Sequence, residues 1–212
     1  MYSTILFDLD GTLTEPYIGI TNGIMYALEK MGLDVPPREM LKHFIGPPLI
    51  SEFQRSFDMS EEQAKTAAAF YREYYFDKGL YENSVIDGVE QLLRKIQESG
   101  RRICLATSKP EHAARLILEH FGLLSYFDFV GAATLDGRIC TKEQVLRHVL
   151  ENTGASPDEC LLVGDRMYDI LGAHEVGMKC AAVLVGYGSR EEFEQYGADY
   201  VAETLADVMD VI

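Results

Sequence analysis

The sequence predicts an α/β fold: a three-layer, Rossmann-like core with a parallel sheet, plus an inserted all-helical cap domain. Two observations support this prediction. From residue 88 onward, short apolar strands alternate with helical segments, a pattern typical of a parallel sheet covered by helices on both sides. Between residues 18 and 79 the apolar residues recur at helical spacing without a convincing strand. The helical stretch is therefore an insertion into the sheet-forming chain.

The predicted strands of the core are short and almost continuously apolar. The first, residues 4–9, ends in acidic and glycine residues, which suits a strand buried on both faces. Further strands are predicted at 102–106, 129–131, 160–163 and 180–185, and the helices that precede them at 88–98, 111–121, 142–152 and 167–175. Short segments near 199–201 and 204–211 complete the core.

The insertion begins only a few residues after the first strand. We therefore assign residues 1–14 and 85–212 to an α/β core domain and residues 15–84 to a helical cap domain. An insertion at this point must follow the carboxyl end of the first strand, and open α/β sheets bind their ligands at that edge. We expect the helical domain to act as a lid that excludes water from the chemistry.

The composition limits the classes of partner. A net charge of −15, from 34 acidic and 19 basic residues, argues against binding to nucleic acid, because contacts with phosphate backbones require lysine and arginine. No apolar run approaches the ~20 residues of a membrane span, and the N-terminus lacks the pattern of a secretory signal. We expect a cytoplasmic protein. It could still bind a small anion where a metal ion, a lysine or a helix N-terminus makes the site locally positive. The sequence does not decide between a monomer and a dimer.

Asp8 and Asp10 are the first candidate functional residues. They end the first strand and precede Gly11-Thr12. Carboxylates at i and i+2 project to the same side of an extended chain, where two negative charges are costly unless a cation or a proton compensates them. A lone Asp-Gly is more often a turn, but the position directly after a buried strand favours a functional pair.

Two further segments carry candidate groups for binding an anion. Thr107 and Ser108 follow the second strand and precede a helix, where hydroxyl and backbone N–H groups bind anions, although a simple helix cap would have the same residues. Lys142 lies in the first turn of a helix, where its charge opposes the helix dipole unless an anion lies in front of it. Lys109 competes for the same role. We favour Lys142 because it comes from a separate strand–helix unit.

Asp165 and Asp169 follow the fourth strand and lie four residues apart. This spacing puts both on one face of any helix that begins there. Together with Asp8 they form a set of oxygen ligands of the kind that Mg²⁺ prefers. Asp169 alone is also explained by a helix N-terminus, which favours a negative charge. The sequence thus predicts Mg²⁺ as the cofactor.

These motifs resemble those of the haloacid dehalogenase superfamily of phosphohydrolases. Asp8-Leu-Asp10-Gly-Thr12 is similar to its first motif, Thr107 to its second, Lys142 to its third, and the segment 164–169 to its fourth. The helical insertion resembles the small cap of the phosphoglycolate-phosphatase-like branch. Several stretches, among them Ile45-Gly-Pro-Pro-Leu49, resemble a bacterial 5′-nucleotidase-like subgroup.

The resemblance implies a role for each motif. Asp8 would attack phosphorus and become an aspartyl phosphate, and Asp10 would act as general acid and then base. The side chains of Asp8 and Asp165 and the main-chain carbonyl of Asp10 would bind Mg²⁺, and Asp169 would anchor that site. The phosphoryl oxygens would be held by a larger group of residues: Gly11, Thr12, Thr107, Ser108 and Lys142.

The resemblance leaves the substrate open. Gly46 and Pro47 would lie in the cap loop that selects the substrate, and Tyr17, Arg72 and Tyr187 are further candidates for contacting the leaving group. The resemblance implies a small phosphorylated metabolite as the partner, a phosphomonoester such as a nucleoside 5′-monophosphate or phosphoglycolate. The alternatives are a phosphomutase of the β-phosphoglucomutase type and a non-catalytic protein that binds phosphorylated metabolites. Glu15-Pro16 departs from the Asp-Ser more common in this branch.

Overall fold

The computed structural model describes residues 2–212, which divide into two compact units. One unit contains the chain up to Glu15 together with Val85–Ile212, and the other contains Pro16–Ser84. The functional assignment of residues 15–84 as a cap domain and of 1–14 and 85–212 as the α/β core domain stays a prediction. Residue 1 of that range lies outside the described residues.

The first unit is built on one sheet. Within residues 2–212 its six strands pair in the order β3-β2-β1-β4-β5-β6, and every pairing is parallel. The strands are β1 (Thr4–Phe7), β2 (Arg102–Pro110), β3 (Phe129–Ala133), β4 (Cys160–Gly164), β5 (Lys179–Val183) and β6 (Tyr200–Ala202). The predicted fold class is confirmed. Since β1 lies between β2 and β4, the residues that follow these three strands emerge side by side.

The second unit is helical over the described residues. It contains α1 (Tyr17–Lys30), α2 (Leu49–Phe57) and α3 (Glu61–Tyr74), with a 3-10 segment at Arg38–Phe44 and a π-helical turn at Tyr75–Gly79. Ser60 caps α3 through a reciprocal pair of hydrogen bonds: its hydroxyl accepts from the Gln63 N–H (3.2 Å), and its own N–H donates to the Gln63 side chain (2.9 Å).

The helices of the first unit cover both faces of the sheet. They are α4 (Val89–Glu98), α5 (Glu111–His120), α6 (Lys142–Thr153), α7 (Met167–Glu175) and α8 (Arg190–Tyr196), with 3-10 turns at Leu124–Tyr126, Pro157–Glu159 and Leu205–Asp210. One face packs Leu6 with Val145 of α6 and Ile170 of α7 in a buried cluster. Because side chains alternate along a strand, the equally buried Ile5 and Phe7 project to the opposite face.

Several element boundaries differ from those predicted; among them, β3 continues to Ala133 and β5 covers Lys179–Val183. The strand β1 ends at Phe7, so Asp8 and Leu9 follow the strand. The strand β2 continues to Pro110 instead of ending at 106, because an irregularity after Thr107 lets the chain pair again with β3 at Ala133. The helix α8 was not predicted at all; it begins after Ser189, whose hydroxyl accepts from the Glu192 N–H (3.2 Å).

No helix within residues 2–212 is long and apolar enough to cross a lipid bilayer.

Candidate active site

The carboxyl edge of the sheet brings the candidate residues of the first unit together. Asp8 follows β1, and its backbone N–H donates to the Val163 carbonyl of β4 (2.9 Å). Asp165 follows β4 directly, and Thr107 lies in β2 on the other side of β1. Residues distant in the sequence therefore converge because their strands are neighbours in the sheet.

Lys142 reaches into this edge from the first residue of α6. Thr141 caps the helix by accepting a hydrogen bond from the Gln144 N–H (3.3 Å), which fixes where α6 begins. Lys142 Nζ lies 2.7 Å from Asp8 Oδ1, 2.8 Å from Asp169 Oδ1 and 2.8 Å from the Ala106 carbonyl oxygen. Burial alone would lower the lysine pKa, but Asp169 and Asp8 outweigh it and raise the pKa. The ammonium is therefore charged at neutral pH.

An acidic cluster lies beside this lysine. One carboxylate oxygen from each of Asp8, Asp165 and Asp169 lies within 4.8 Å of the others. Burial, followed by the charges of Asp169 and Asp8, raises the pKa of Asp165 well above its usual range. Three carboxylates at this separation repel one another, so the cluster favours a bound cation. The donor set consists only of oxygen, which fits a hard divalent ion such as Mg²⁺.

Asp165 is held on both oxygens. Its Oδ1 accepts from the Thr12 hydroxyl (3.2 Å), and its Oδ2 accepts from the Tyr187 N–H (2.8 Å). Gly11, at φ +88°, and Gly186 make room for this packing, because a Cβ on either residue would lie 2.3 Å from Asp165 Oδ2. Thr12 therefore supports Asp165 in this structure. The predicted contacts of Gly11 and Thr12 with phosphate stay predictions.

Asp169 combines two of the roles considered from the sequence. Its Oδ2 accepts from the backbone N–H groups of Asp165 (3.2 Å) and Arg166 (3.1 Å), as a residue at a helix N-terminus does, while Oδ1 forms the ion pair with Lys142. The expectation that Asp165 and Asp169 share one face of a helix is wrong, because α7 begins only at Met167. Asp165 lies in the turn that precedes it.

Asp10 has its own lysine partner. Lys109 Nζ donates to Asp10 Oδ2, and the two side chains are 7% and 13% exposed. Burial raises the pKa of Asp10, and Lys109 opposes that rise. Asp10 Oδ1 is buried and has no hydrogen-bond partner within residues 2–212. Lys109 and Lys142 therefore do not compete for one role, because they contact different aspartates.

Thr107 and Ser108 do not lie at a helix N-terminus, contrary to the prediction. Both belong to the extended β2, and α5 begins only at Glu111. Thr107 is buried, and its hydroxyl oxygen accepts from the Lys109 N–H (3.2 Å). The predicted phosphate-binding roles of Thr107 and Ser108 stay predictions.

Tyr187 links two segments of the first unit. Besides its backbone bond to Asp165, its hydroxyl donates to Glu15 Oε1. The sequence offered Tyr187 only as a candidate for contacting the leaving group, and gave Glu15 no role. The signal for this contact is weak in the sequence, since 171 residues separate the partners along the chain.

The remaining candidates belong to the second unit. Tyr17 is the first residue of α1, and Arg72 lies in the last turn of α3. Gly46 adopts a positive φ of 106° in the loop that contains Pro47. Their predicted contacts with substrate stay predictions.

Comparison with known proteins identifies the family. Residues 5–183 match the model of the haloacid dehalogenase-like hydrolases. The chain belongs to this family. A 5′-nucleotidase of Pseudomonas aeruginosa is 41% identical over 211 residues, covering 100% of this chain and 96% of the relative. A crystal structure described as a predicted phosphatase from Clostridium acetobutylicum superposes with a TM-score of 0.96 at 39% identity, covering 100% and 98% of the two chains.

Another relative carries a different name. Tyrosine-protein kinase PtkA of Mycobacterium tuberculosis is 36% identical over 205 residues, covering 97% of this chain and 67% of the relative. The family membership predicted from the motifs is confirmed, as is the prediction that the chain is an enzyme of the phosphatase class.

Proposed function

We propose that the protein is a Mg²⁺-dependent phosphatase that hydrolyses small phosphomonoesters through an aspartyl phosphate on Asp8. The observation that carries this proposal is the position of the Asp8 carboxylate, which is 2.7 Å from Lys142 Nζ and belongs to an acidic cluster with Asp165 and Asp169 at the carboxyl edge of the sheet. A nucleophile for phosphoryl transfer needs this combination of a carboxylate with nearby positive charge.

The charges at the site support a divalent cofactor. The three carboxylates of the acidic cluster (Asp8, Asp165 and Asp169) lie with one ammonium group, that of Lys142, which leaves an excess of two negative charges there. A divalent cation neutralises this excess. Asp8, Asp165 and Asp169 would hold Mg²⁺ through side chains and Asp10 through its main-chain carbonyl, and the ion would offset negative charge on the phosphoryl oxygens.

In the first step, an Asp8 oxygen attacks phosphorus and the bond from phosphorus to the ester oxygen breaks. Lys142, held by Asp8, Asp169 and the Ala106 carbonyl, keeps its positive charge beside the transferring group. Asp10 donates a proton to the departing ester oxygen, which leaves as an alcohol. Thr107, Ser108, Gly11 and Thr12 are the proposed partners of the phosphoryl oxygens.

In the second step, water attacks the phosphorus of the aspartyl phosphate. Asp10, now a carboxylate, takes a proton from this water, the bond from phosphorus to the Asp8 oxygen breaks, and inorganic phosphate is released. The buried position of Asp10 raises its pKa, which favours a carboxyl group able to hold and release a proton.

The proposed substrates are nucleoside 5′-monophosphates or phosphoglycolate. The first choice follows from the 41% identity to a protein named 5′-nucleotidase. We propose that the helical unit acts as the cap domain and that Tyr17, Gly46, Pro47 and Arg72 contact the leaving group there.

The test is phosphate release from nucleoside monophosphates, phosphoglycolate and p-nitrophenyl phosphate, with and without a chelator, by the wild-type protein and Asp8→Asn. We expect release that needs Mg²⁺ and that falls by at least about 10³-fold in Asp8→Asn. Full activity of Asp8→Asn, or turnover unaffected by the chelator, would contradict the proposal. Isomerisation of a sugar phosphate without phosphate release would indicate a mutase instead.

A further inference from the structure

The ion pair between Lys109 and Asp10 has no role in the mechanism described so far. Both side chains are largely buried, at 7% and 13% exposed, and the residues are 99 positions apart in the sequence. A buried ion pair is a weak source of stability, because removing two charges from water costs about as much as their attraction returns. Its presence at the active edge therefore favours a functional explanation.

The two lysines of the site contact different carboxylates. Lys142 contacts Asp8 and Asp169, and Lys109 contacts Asp10. The nucleophile and the proposed acid thus have separate cationic partners. Removing Lys109 should leave the pairing of Asp8 intact.

Lys109 contacts only one of the two oxygens of Asp10. The ammonium donates a hydrogen bond to Oδ2, whereas Oδ1 is buried and has no hydrogen-bond partner within residues 2–212. A carboxyl group held by one oxygen keeps the orientation of the other. The proton that Asp10 exchanges is thereby assigned to Oδ1.

Lys109 is itself held by the strand that carries it. The extended chain of β2 continues through Thr107 to Pro110, and the Lys109 N–H donates to the buried Thr107 hydroxyl (3.2 Å). The backbone of Lys109 is therefore fixed next to the site, and its side chain, which is 7% exposed, is held by the surrounding packing.

We propose that Lys109 is a positioning residue that acts on the reaction through Asp10. It holds Asp10 by Oδ2, so that Oδ1 gives its proton to the leaving oxygen in the first step and takes one from water in the second. This inference rests on the proposed function, in which Asp10 is the acid and base.

A double-mutant cycle tests this coupling. The variants are Lys109→Met, Asp10→Asn and the combination of both, and the measured quantity is kcat/KM, which reports the steps up to departure of the leaving group. With an alkyl phosphomonoester, whose leaving oxygen needs a proton, we expect Lys109→Met to lower kcat/KM by about 10- to 100-fold, within the range that acid–base catalysis contributes. In the Asp10→Asn background the same change should lower kcat/KM by less than about threefold, because the asparagine that Lys109 would hold has no acid–base role in either step.

A change of leaving group separates positioning from substrate binding. With p-nitrophenyl phosphate the leaving phenolate needs little protonation, so Lys109→Met should lower kcat/KM by less than about threefold. Equal losses with both esters would mean that Lys109 binds the substrate directly, and would overturn the inference. The inference would also be overturned if the loss of kcat/KM in the double variant equalled the product of the losses in the two single variants.

Further variants control for structural damage. Lys109→Gln keeps an N–H donor and should retain more activity than Lys109→Met. The double variant removes both charges, so it does not leave an unpaired buried carboxylate. Lys95→Met, on the exposed side of α4, is the matched control and should behave as the wild type. Loss of all activity in Asp8→Asn with an unaffected Lys109→Met would overturn this inference alone, whereas an active Asp8→Asn would overturn the proposed function.

Discussion

Two ion pairs at the sheet edge of the first unit differ in burial and in sequence separation from an ion pair on a helix of the second unit. At the sheet edge of the first unit, Lys142 and Lys109 are buried with aspartates that lie 134 and 99 residues away in the sequence. In the helical unit, Lys65 pairs with Glu61 one turn away, and both side chains are mostly exposed. Exposed pairs of this kind contribute little to stability. Buried charges brought together from distant segments therefore mark the site, and local charge pairs do not.

Replacement of Lys142 is expected to have the largest effect on activity and stability, in contrast to replacement of a lysine in the helical unit. Lys142→Met leaves Asp8 and Asp169 without their ammonium, so we expect kcat to fall by roughly 10²- to 10³-fold. Breaking a buried ion pair from one side also lowers the free energy of unfolding by about 3–5 kcal/mol. Steady-state kinetics and urea unfolding measure the two effects.

Lys65→Met is the matched control in the helical unit. It removes an exposed pair, so activity and the unfolding midpoint should both stay at wild-type values. A Lys142→Met protein with wild-type kcat would show that burial and long-range pairing do not mark the site.

Metal binding should stabilise the first unit in a pH-dependent way. The pKa of Asp165 is raised in the folded chain, so its contribution to stability is fully present below the unfolded pKa and is lost as pH rises through the folded pKa. Mg²⁺ binds the ionised carboxylates and offsets this loss. Saturation at about 100 times Kd adds about 2.7 kcal/mol. Thermal unfolding with Mg²⁺ or chelator should therefore show a larger shift in Tm near pH 8 than near pH 5.

The control for this prediction is Asp165→Asn, in which the shift should shrink at the higher pH. An equal shift in Tm at both pH values in the wild-type protein would contradict a metal site made of these carboxylates.

A smaller effect, on the affinity for Mg²⁺, is expected from removing the Thr12 hydroxyl that holds Asp165. Thr12→Val removes the hydrogen bond to Asp165 Oδ1 while nearly preserving shape. Groups that orient a metal ligand commonly contribute about 10- to 100-fold in metal affinity. We expect the Mg²⁺ concentration for half-maximal activity to rise by about tenfold, with kcat at saturating Mg²⁺ little changed. A lower kcat with unchanged Mg²⁺ dependence would instead favour the contact of Thr12 with phosphate.

The smallest effect on the kinetics is expected from a substitution in the helical unit. Arg72→Ala should change KM by only a few-fold, and by different factors for nucleoside monophosphates and phosphoglycolate, while kcat stays constant. Lys65→Ala on the same helix is its control. A large loss of kcat in Arg72→Ala would mean that the helical unit supplies part of the chemistry. It would contradict the claim that the sheet edge of the first unit carries the chemistry.

The two regions also differ in how much of their structure and of their candidate residues the sequence predicts. The sheet, and the meeting of Asp8, Lys142 and Asp165, follow from strand ends and helix starts, since parallel strands gather their carboxyl ends at one edge. The pairing of Lys109 with Asp10 was missed because β2 extends beyond Thr107, and an irregular strand end has no clear hydrophobic pattern. The role of Tyr187 depends on a contact with Glu15 that no local pattern encodes. In the helical unit, Gly46, Pro47 and Arg72 were chosen by resemblance alone.

The most direct test of the account is to trap the phosphorylated residue. Protein quenched during turnover is treated with borohydride, which reduces an acyl phosphate to the alcohol, and the peptide containing residue 8 is examined by mass spectrometry. The account predicts conversion of Asp8 to homoserine only in protein that was exposed to substrate, with Asp10 unchanged. Phosphate release without any change at Asp8 would contradict it.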